Sequence, residues 1–159
     1  MRDIVVAPGC DRNHVIRAAG SLCQGSTHVV SVALARAAYD AGEQLSAPAR
    51  ITESPGEGVS GIVEGQTVTV GTFPFVTRAG REDGWHPVAR DLVQAETGLV
   101  AAIGINGLVI GIARFVDAVR PEAARVLSQL RSIGITQTIL LTGDRREVAE
   151  AVADGLRFD

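Results

Sequence analysis

Between Leu99 and Ala113 the chain reads LVAAIGINGLVIGIA, without a single charge, and Asn106-Gly107 stands at its centre. Asn-Gly between β-branched runs favours the two-residue turn whose twist matches that of paired strands. The run is also short of the ~20 apolar residues a membrane-spanning helix needs. It predicts two long, buried antiparallel strands, and so commits this part of the chain to a sheet.

The flanking patterns fit that sheet. Ile4 to Val6 predicts a short strand, and Asp11 stands where it can cap a helix running through Leu22. Ser26 is placed to cap a second helix, Thr27 to Ala41, whose Val30, Ala33, Leu34, Ala37, Ala38 and Ala41 share one face. Gly42 stops it, leaving a helical hairpin. From Arg50 the period changes: Ile51 to Ser54, Val59 to Glu64 and Thr67 to Gly71 predict strands, with a tight turn at Glu64-Gly65-Gln66. A helix follows around Val88 to Ala95.

The character changes again at Asp117. Pro121 suits a first helical position, Val126, Leu127, Leu130 and Ile133 form one apolar stripe, and Gly134 ends the helix. Gln137 to Leu141 predicts a buried strand, Thr142-Gly143-Asp144 a turn at its C-terminal end, and Arg145 to Leu156 a further helix. Helix, strand, turn, helix is the rhythm of a parallel α/β sheet. The expected architecture is therefore α+β, an antiparallel sheet flanked by helical hairpins over residues 1–113, followed by a partial α/β segment over 114–159.

The sequence is 46% hydrophobic and 21% charged, enough apolar material for a core. A formal net charge of −3, with no basic cluster interleaved with aromatics, argues against a nucleic-acid partner. Cys10 and Cys23 form no C-x-x-C, and His14, His28 and His86 have no ligand spacing with them, so no metal site is readable. The cysteine usage suits a reducing setting. The N-terminus has no apolar h-region of a signal peptide.

Within Pro55-Gly56-Glu57-Gly58-Val59-Ser60-Gly61, the glycines at 56, 58 and 61 fit G-x-G-x-x-G. A dinucleotide fingerprint requires a helix to open at the third glycine. Here IVEGQTVTVG follows, a strand and a turn, and that reading fails. The glycines either make a tight strand connection or let a flat or anionic ligand lie against the backbone. His28, in the first turn of its helix, is either a surface residue or a ligand contact. Thr142 and Asp144 stand beyond a strand end, where phosphate and magnesium chemistry occurs in α/β sheets, though T-G-D also serves as a plain helix cap. Asp117 with Arg120-Pro121 reads equally as an ordinary helix entry.

Taken in order, Ser26-Thr27-His28-Val29, Gly56 through Gly65, Val70-Gly71, Asp117 through Ala123 and Leu141 through Asp144 resemble the cytosolic ATP-binding region of a heavy-metal-transporting (type IB) P-type ATPase. That family runs S-x-H-P, G-x-G-x-x-G-x-V-x-G, V-G, D-x-x-R-P-E-A and L-T-G-D. The resemblance covers essentially the whole chain. It implies a nucleotide-binding (N) domain over residues 1–113 and the beginning of a haloacid-dehalogenase-like phosphorylation (P) domain over 114–159. It places His28 beside adenine and Gly56 and Gly58 along the adenosine pocket, where their missing Cβ atoms let the nucleoside lie on the backbone. Gly71 completes that pocket. Asp117 and Arg120 would stand at the interdomain hinge near ribose and phosphates. Thr142 would hydrogen-bond the transferring phosphoryl group, with Asp144 organising that site. ATP is implied as ligand, Mg2+ as cofactor of the complete protein, transmembrane and actuator domains as partners, and the cytoplasmic face of the cell membrane as location.

The chain departs from the family where Glu usually stands at the positions of Cys23 and Thr27, and Pro at that of Val29. The phosphorylated aspartate's D-K-T-G-T motif and the G-D-G-x-N-D motif do not occur in it. The expectation is a segment that binds ATP without itself forming an aspartyl-phosphate. Two alternatives remain open: a degenerate, non-catalytic remnant, motivated by Cys23 and Thr27, and a haloacid-dehalogenase-like phosphatase. The latter needs a D-x-D or D-x-x-x-T nucleophile motif at a strand end, and none stands in a suitable place.

Overall fold

The computed structural model describes residues 1–78, 80–96, 98–115, 122–142, 149–150, 152–153, 156 and 158. The chain divides into two compact units, Met1–Val116 and Asp117–Asp159.

The first unit is built around the uncharged hairpin. Strands β5 (Val100–Ile105) and β6 (Leu108–Arg114) pair antiparallel across Asn106-Gly107. Both turn residues have positive φ, 50° and 79°, as the two-residue hairpin turn requires. The Asn106 side chain accepts a hydrogen bond from the Thr67 backbone N–H (3.0 Å), which ties the turn to the neighbouring strand. That strand, β4 (Gln66–Gly71), is joined to β3 (Gly58–Val63) by Glu64-Gly65, again with two positive φ values. With β1 (Asp3–Val6) and β2 (Ala49–Ser54) they form one six-stranded sheet in the order β1-β6-β5-β4-β3-β2. Every neighbouring pair is antiparallel.

Alternation along the strands divides the core into two layers. Ala101, Ile103 and Ile105 pack with residues of α1 (Arg12–Cys23) and α2 (Val29–Asp40), whereas Ala102, Val109 and Ile112 pack with residues of α3 (Phe73–Thr77) and α4 (His86–Ala95). Leu34, Ile103 and Ile112 are completely buried. Truncating any of them to Ala would cost ~2–5 kcal/mol. Helices α1 and α2 approach closely because Gly20 has no side chain: a Cβ there would stand 2.5 Å from Ala38 Cβ.

The helix starts and stops are local. Asp11 caps α1, its Oδ1 accepting from Asn13 N–H at 3.1 Å. Gly42, at φ 77°, ends the α2 region as expected. The start of α2 differs from expectation. Ser26 does not cap it; its Oγ accepts the His28 N–H (3.3 Å), and this turn delays the helix to Val29. His28 is itself the N-cap, with Nδ1 accepting from Val30 N–H at 3.3 Å. Helix α3 was not legible, since five residues are too few to display a helical period. Its start is a cap, Thr72 Oγ1 accepting from Phe75 N–H (3.3 Å).

In the second unit, α5 (Ala123–Ser132) carries Val126, Leu127 and Leu130 of the expected stripe, with Ile133 as its C-cap, and none of its residues is buried. The strand expected over Gln137 to Leu141 is not formed: residues 135–142 are irregular, with Ile139 and Leu141 72% and 95% exposed. A strand needs a neighbour to pair its backbone groups, and among the described residues of this unit none is in a strand. Ala149, Glu150, Val152, Ala153 and Leu156 are helical. The rest of the helix expected over Arg145 to Leu156 lies outside the described residues, as does Pro121.

Candidate functional site

A cavity of about 250 Å³ opens between the N-terminal end of α2 and one end of the sheet. Its wall on the helix side is His28, Val30 and Ser31; across from them lies the turn Ser54 to Gly58; Val59, Val70 and Ala101 form an apolar floor. Ligand clefts run ~300–1,000 Å³, so this one suits a base and sugar better than a whole nucleotide. His28, Gly56, Gly58 and Gly71, distant in sequence, all line it.

Their local geometry explains how the chain brings them there. Glu57 N–H donates to Ser54 O at 3.0 Å, closing a turn with Pro55 and Gly56 at its centre. Gly56 has φ 76°, which suits the Pro-Gly order of a type II turn. Nothing lies within 4 Å of where its Cβ would be. Gly58 is different. It pairs with Gly71 across β3 and β4, and a Cβ on Gly58 would meet Val70 O at 2.4 Å. One on Gly71 would meet Glu57 O at 2.2 Å. The space left by these two missing side chains is therefore filled by backbone, and the turn is held to β4 by Thr72 N–H donating to Glu57 O (2.7 Å). The close-approach role expected of Gly58 toward a ligand is thus taken by the chain itself, and Gly56 alone leaves open space.

His28 contributes in two ways. Because Nδ1 accepts the Val30 N–H, the neutral ring carries its proton on Nε2, where it can donate. The same ring is thus cap and cavity wall.

Cys23 lies beneath this wall, fully buried in the core. Burial pushes its thiol up to about 11, the Ser31 hydroxyl bonded to it pulls the other way, and the Glu53 charge adds to the rise. Glu53, Ser31, Thr72 and Leu99 line the cavity as well, and the motif spacing did not single them out. Glu57 also lines it, with its carboxylate paired to Arg78. Among the described residues no group of three His, Cys, Asp or Glu is arranged to hold a metal ion.

The remaining sequence candidates are not gathered here. Thr142 belongs to the second unit, exposed in the irregular stretch. Asp117, Arg120 and Asp144 lie outside the described residues.

Comparison with known proteins gives a consistent set of relatives. The sequence model of the haloacid dehalogenase-like hydrolase family matches residues 6–159. A probable copper-exporting P-type ATPase V of Mycobacterium tuberculosis is 30% identical over 152 residues, which is 95% of this chain and 20% of that protein. A zinc-transporting PIB-type ATPase superposes with a TM-score of 0.72 at 25% identity, covering 99% of this chain and 25% of that one. The N-domain of HMA8, a copper-transporting P-type ATPase, matches the fold with a TM-score of 0.63 at 17% identity, over 72% of this chain and 97% of that one. The chain thus spans about 20% of the length of the curated relatives it matches.

Proposed function

The chain belongs to the haloacid dehalogenase-like hydrolase family and is homologous to the cytosolic catalytic domains of heavy-metal P-type ATPases; from that premise we propose that it is the ATP-binding portion of such a transporter. Residues 1–113 act as its nucleotide-binding domain and 114–159 as the beginning of its phosphorylation domain. The parent protein couples ATP hydrolysis to passage of a heavy-metal cation across a membrane. Its transmembrane and actuator domains are this segment's partners, and the segment works at the cytoplasmic face. Among the described residues no helix is long and apolar enough to cross a membrane.

The observation that carries the reading is the convergence of His28, Gly56, Gly58 and Gly71 on one cavity. Adenosine enters between the start of α2 and the Pro55-Gly56 turn, with its base on the apolar floor of Val59, Val70 and Ala101. His28 Nε2 donates to the base or ribose from the helix side. Open space above Gly56 admits the nucleoside, while the Gly58–Gly71 contact keeps the two strands close enough to hold the turn rigid. In the second unit, Thr142 and Asp144 are assigned to the phosphoryl site, and Asp117 and Arg120 to ribose and phosphate contacts. Phosphoryl transfer in such systems depends on positioning and charge neutralisation. Mg2+ supplies that neutralisation when bound, carried chiefly by the nucleotide's phosphates. The chain itself binds and orients ATP and forms no aspartyl-phosphate.

Isothermal titration of the 159-residue chain with ATP tests this. Saturable binding in the micromolar to millimolar range is expected. No heat and no competition by AMP at millimolar nucleotide would sink the proposal.

A further inference from the structure

Glu53 stands at the exposed outer end of an apolar row. It pairs with Val59 across β2 and β3, Val59 pairs with Val70, and Val70 with Ile103. Cross-strand partners project from the same face of a sheet. Val59, Val70 and Ile103 are buried in the layer beneath α1 and α2, so Glu53 projects from that same face, at the outer end of an apolar row. There it lines the cavity together with His28 and Ser31.

The other ionisable groups of the cavity are engaged. Glu57 is paired with Arg78, and His28 Nδ1 accepts the Val30 N–H. The hydroxyls of Ser26 and Thr72 accept backbone N–H groups. Among the described residues no hydrogen bond or ion pair engages the Glu53 carboxylate. Among the described residues of its lining, the cavity therefore offers one unpaired carboxylate, and a ring whose second nitrogen is a donor.

We infer that Glu53 is the specificity-determining residue of this site, accepting a hydrogen bond from the exocyclic amino group of adenine. The inference rests on the nucleotide-binding reading above and adds which part of the nucleotide is read. Adenine presents an amino donor at its six position, and hypoxanthine presents a carbonyl oxygen at the same place. A carboxylate attracts the first and repels the second. Glu53 itself is exposed, so the discrimination is that of a solvated contact, about tenfold, and falls short of what a buried acceptor gives.

The test compares ATP with inosine triphosphate, which differ at that position and in the proton that hypoxanthine carries on the adjoining N1, on the full chain and on Glu53→Gln. An amide both donates and accepts, so E53Q removes the repulsion while keeping the shape. The unaltered chain should bind ATP about tenfold tighter than inosine triphosphate, and in E53Q the two affinities should converge to about twofold or less. A 1H–15N spectrum of E53Q unchanged outside the cavity confirms that the fold is intact. If the unaltered chain binds ATP but the ratio survives in E53Q, the assignment of Glu53 is overturned and the nucleotide-binding reading stands. If the unaltered chain binds neither nucleotide, that reading falls and this inference falls with it.

Discussion

His28 carries two roles on one ring, and single substitutions separate them. His28→Ser keeps a side-chain oxygen at the N-cap but removes the ring, so ATP affinity should fall about tenfold while stability changes little. His28→Ala should lose the same affinity and about 1 kcal/mol of stability besides, read from urea unfolding. Equal stability of the two variants would contradict the capping geometry. The glycines separate likewise. Gly71→Ala would drive a Cβ to 2.2 Å from Glu57 O, and should destabilise by roughly 3 kcal/mol or more. Gly56→Ala meets no atom and bears only the strain of φ 76°, about 1–2 kcal/mol. A reversed order would show that the turn is not held against β4. Cys23 should resist iodoacetamide in the folded chain while half-buried Cys10 reacts, because the thiol is both covered and held protonated. The sign of the pH effect follows. Between 9.0 and about 11 the unfolded thiol ionises and the folded one does not, so this group lowers stability as pH rises through that window.

The elements of the first unit were legible where a local rule and the sheet agreed. Asn106-Gly107 and Glu64-Gly65 turn as their residues demand, and the alternation between them fixes which residues enter the core. Gly107→Ala should therefore weaken the hairpin by about 1–2 kcal/mol, measured as a lowered urea midpoint with unchanged slope. Three features were hidden, the first being α3, too short to show a helical period. The start of α2 turned on competition between Ser26 and His28 for backbone N–H groups, and both are acceptable caps by type. Glu53 was invisible because its place in the cavity lining follows from register: only pairing with Val59 shows that it projects on the face under α2. An exposed Glu near a strand end gives no sign of which face it takes until its partner is known.

At the scale of the molecule, the first unit was readable because its sheet is complete within itself, while the second unit's expected strand depends on neighbours that its described residues do not supply. An apolar run such as Gln137 to Leu141 has the composition of a strand, but composition cannot provide the paired backbone. Hydrogen exchange should reflect this. Amides of Ile103 and Ile112, central and fully buried, should be among the slowest, and those of residues 135–142 should exchange orders of magnitude faster. Comparable protection in both would contradict the irregular conformation. The central claim, that the cavity beside His28 holds adenosine, is tested most directly by titrating ATP into the 15N-labelled chain. The account predicts saturable shifts at Ser26 to Ser31, Gly56 to Gly58 and Gly71-Thr72, with the distant Asn106-Gly107 turn unmoved. An unchanged spectrum at millimolar ATP, or shifts confined to residues away from the cavity, would contradict it.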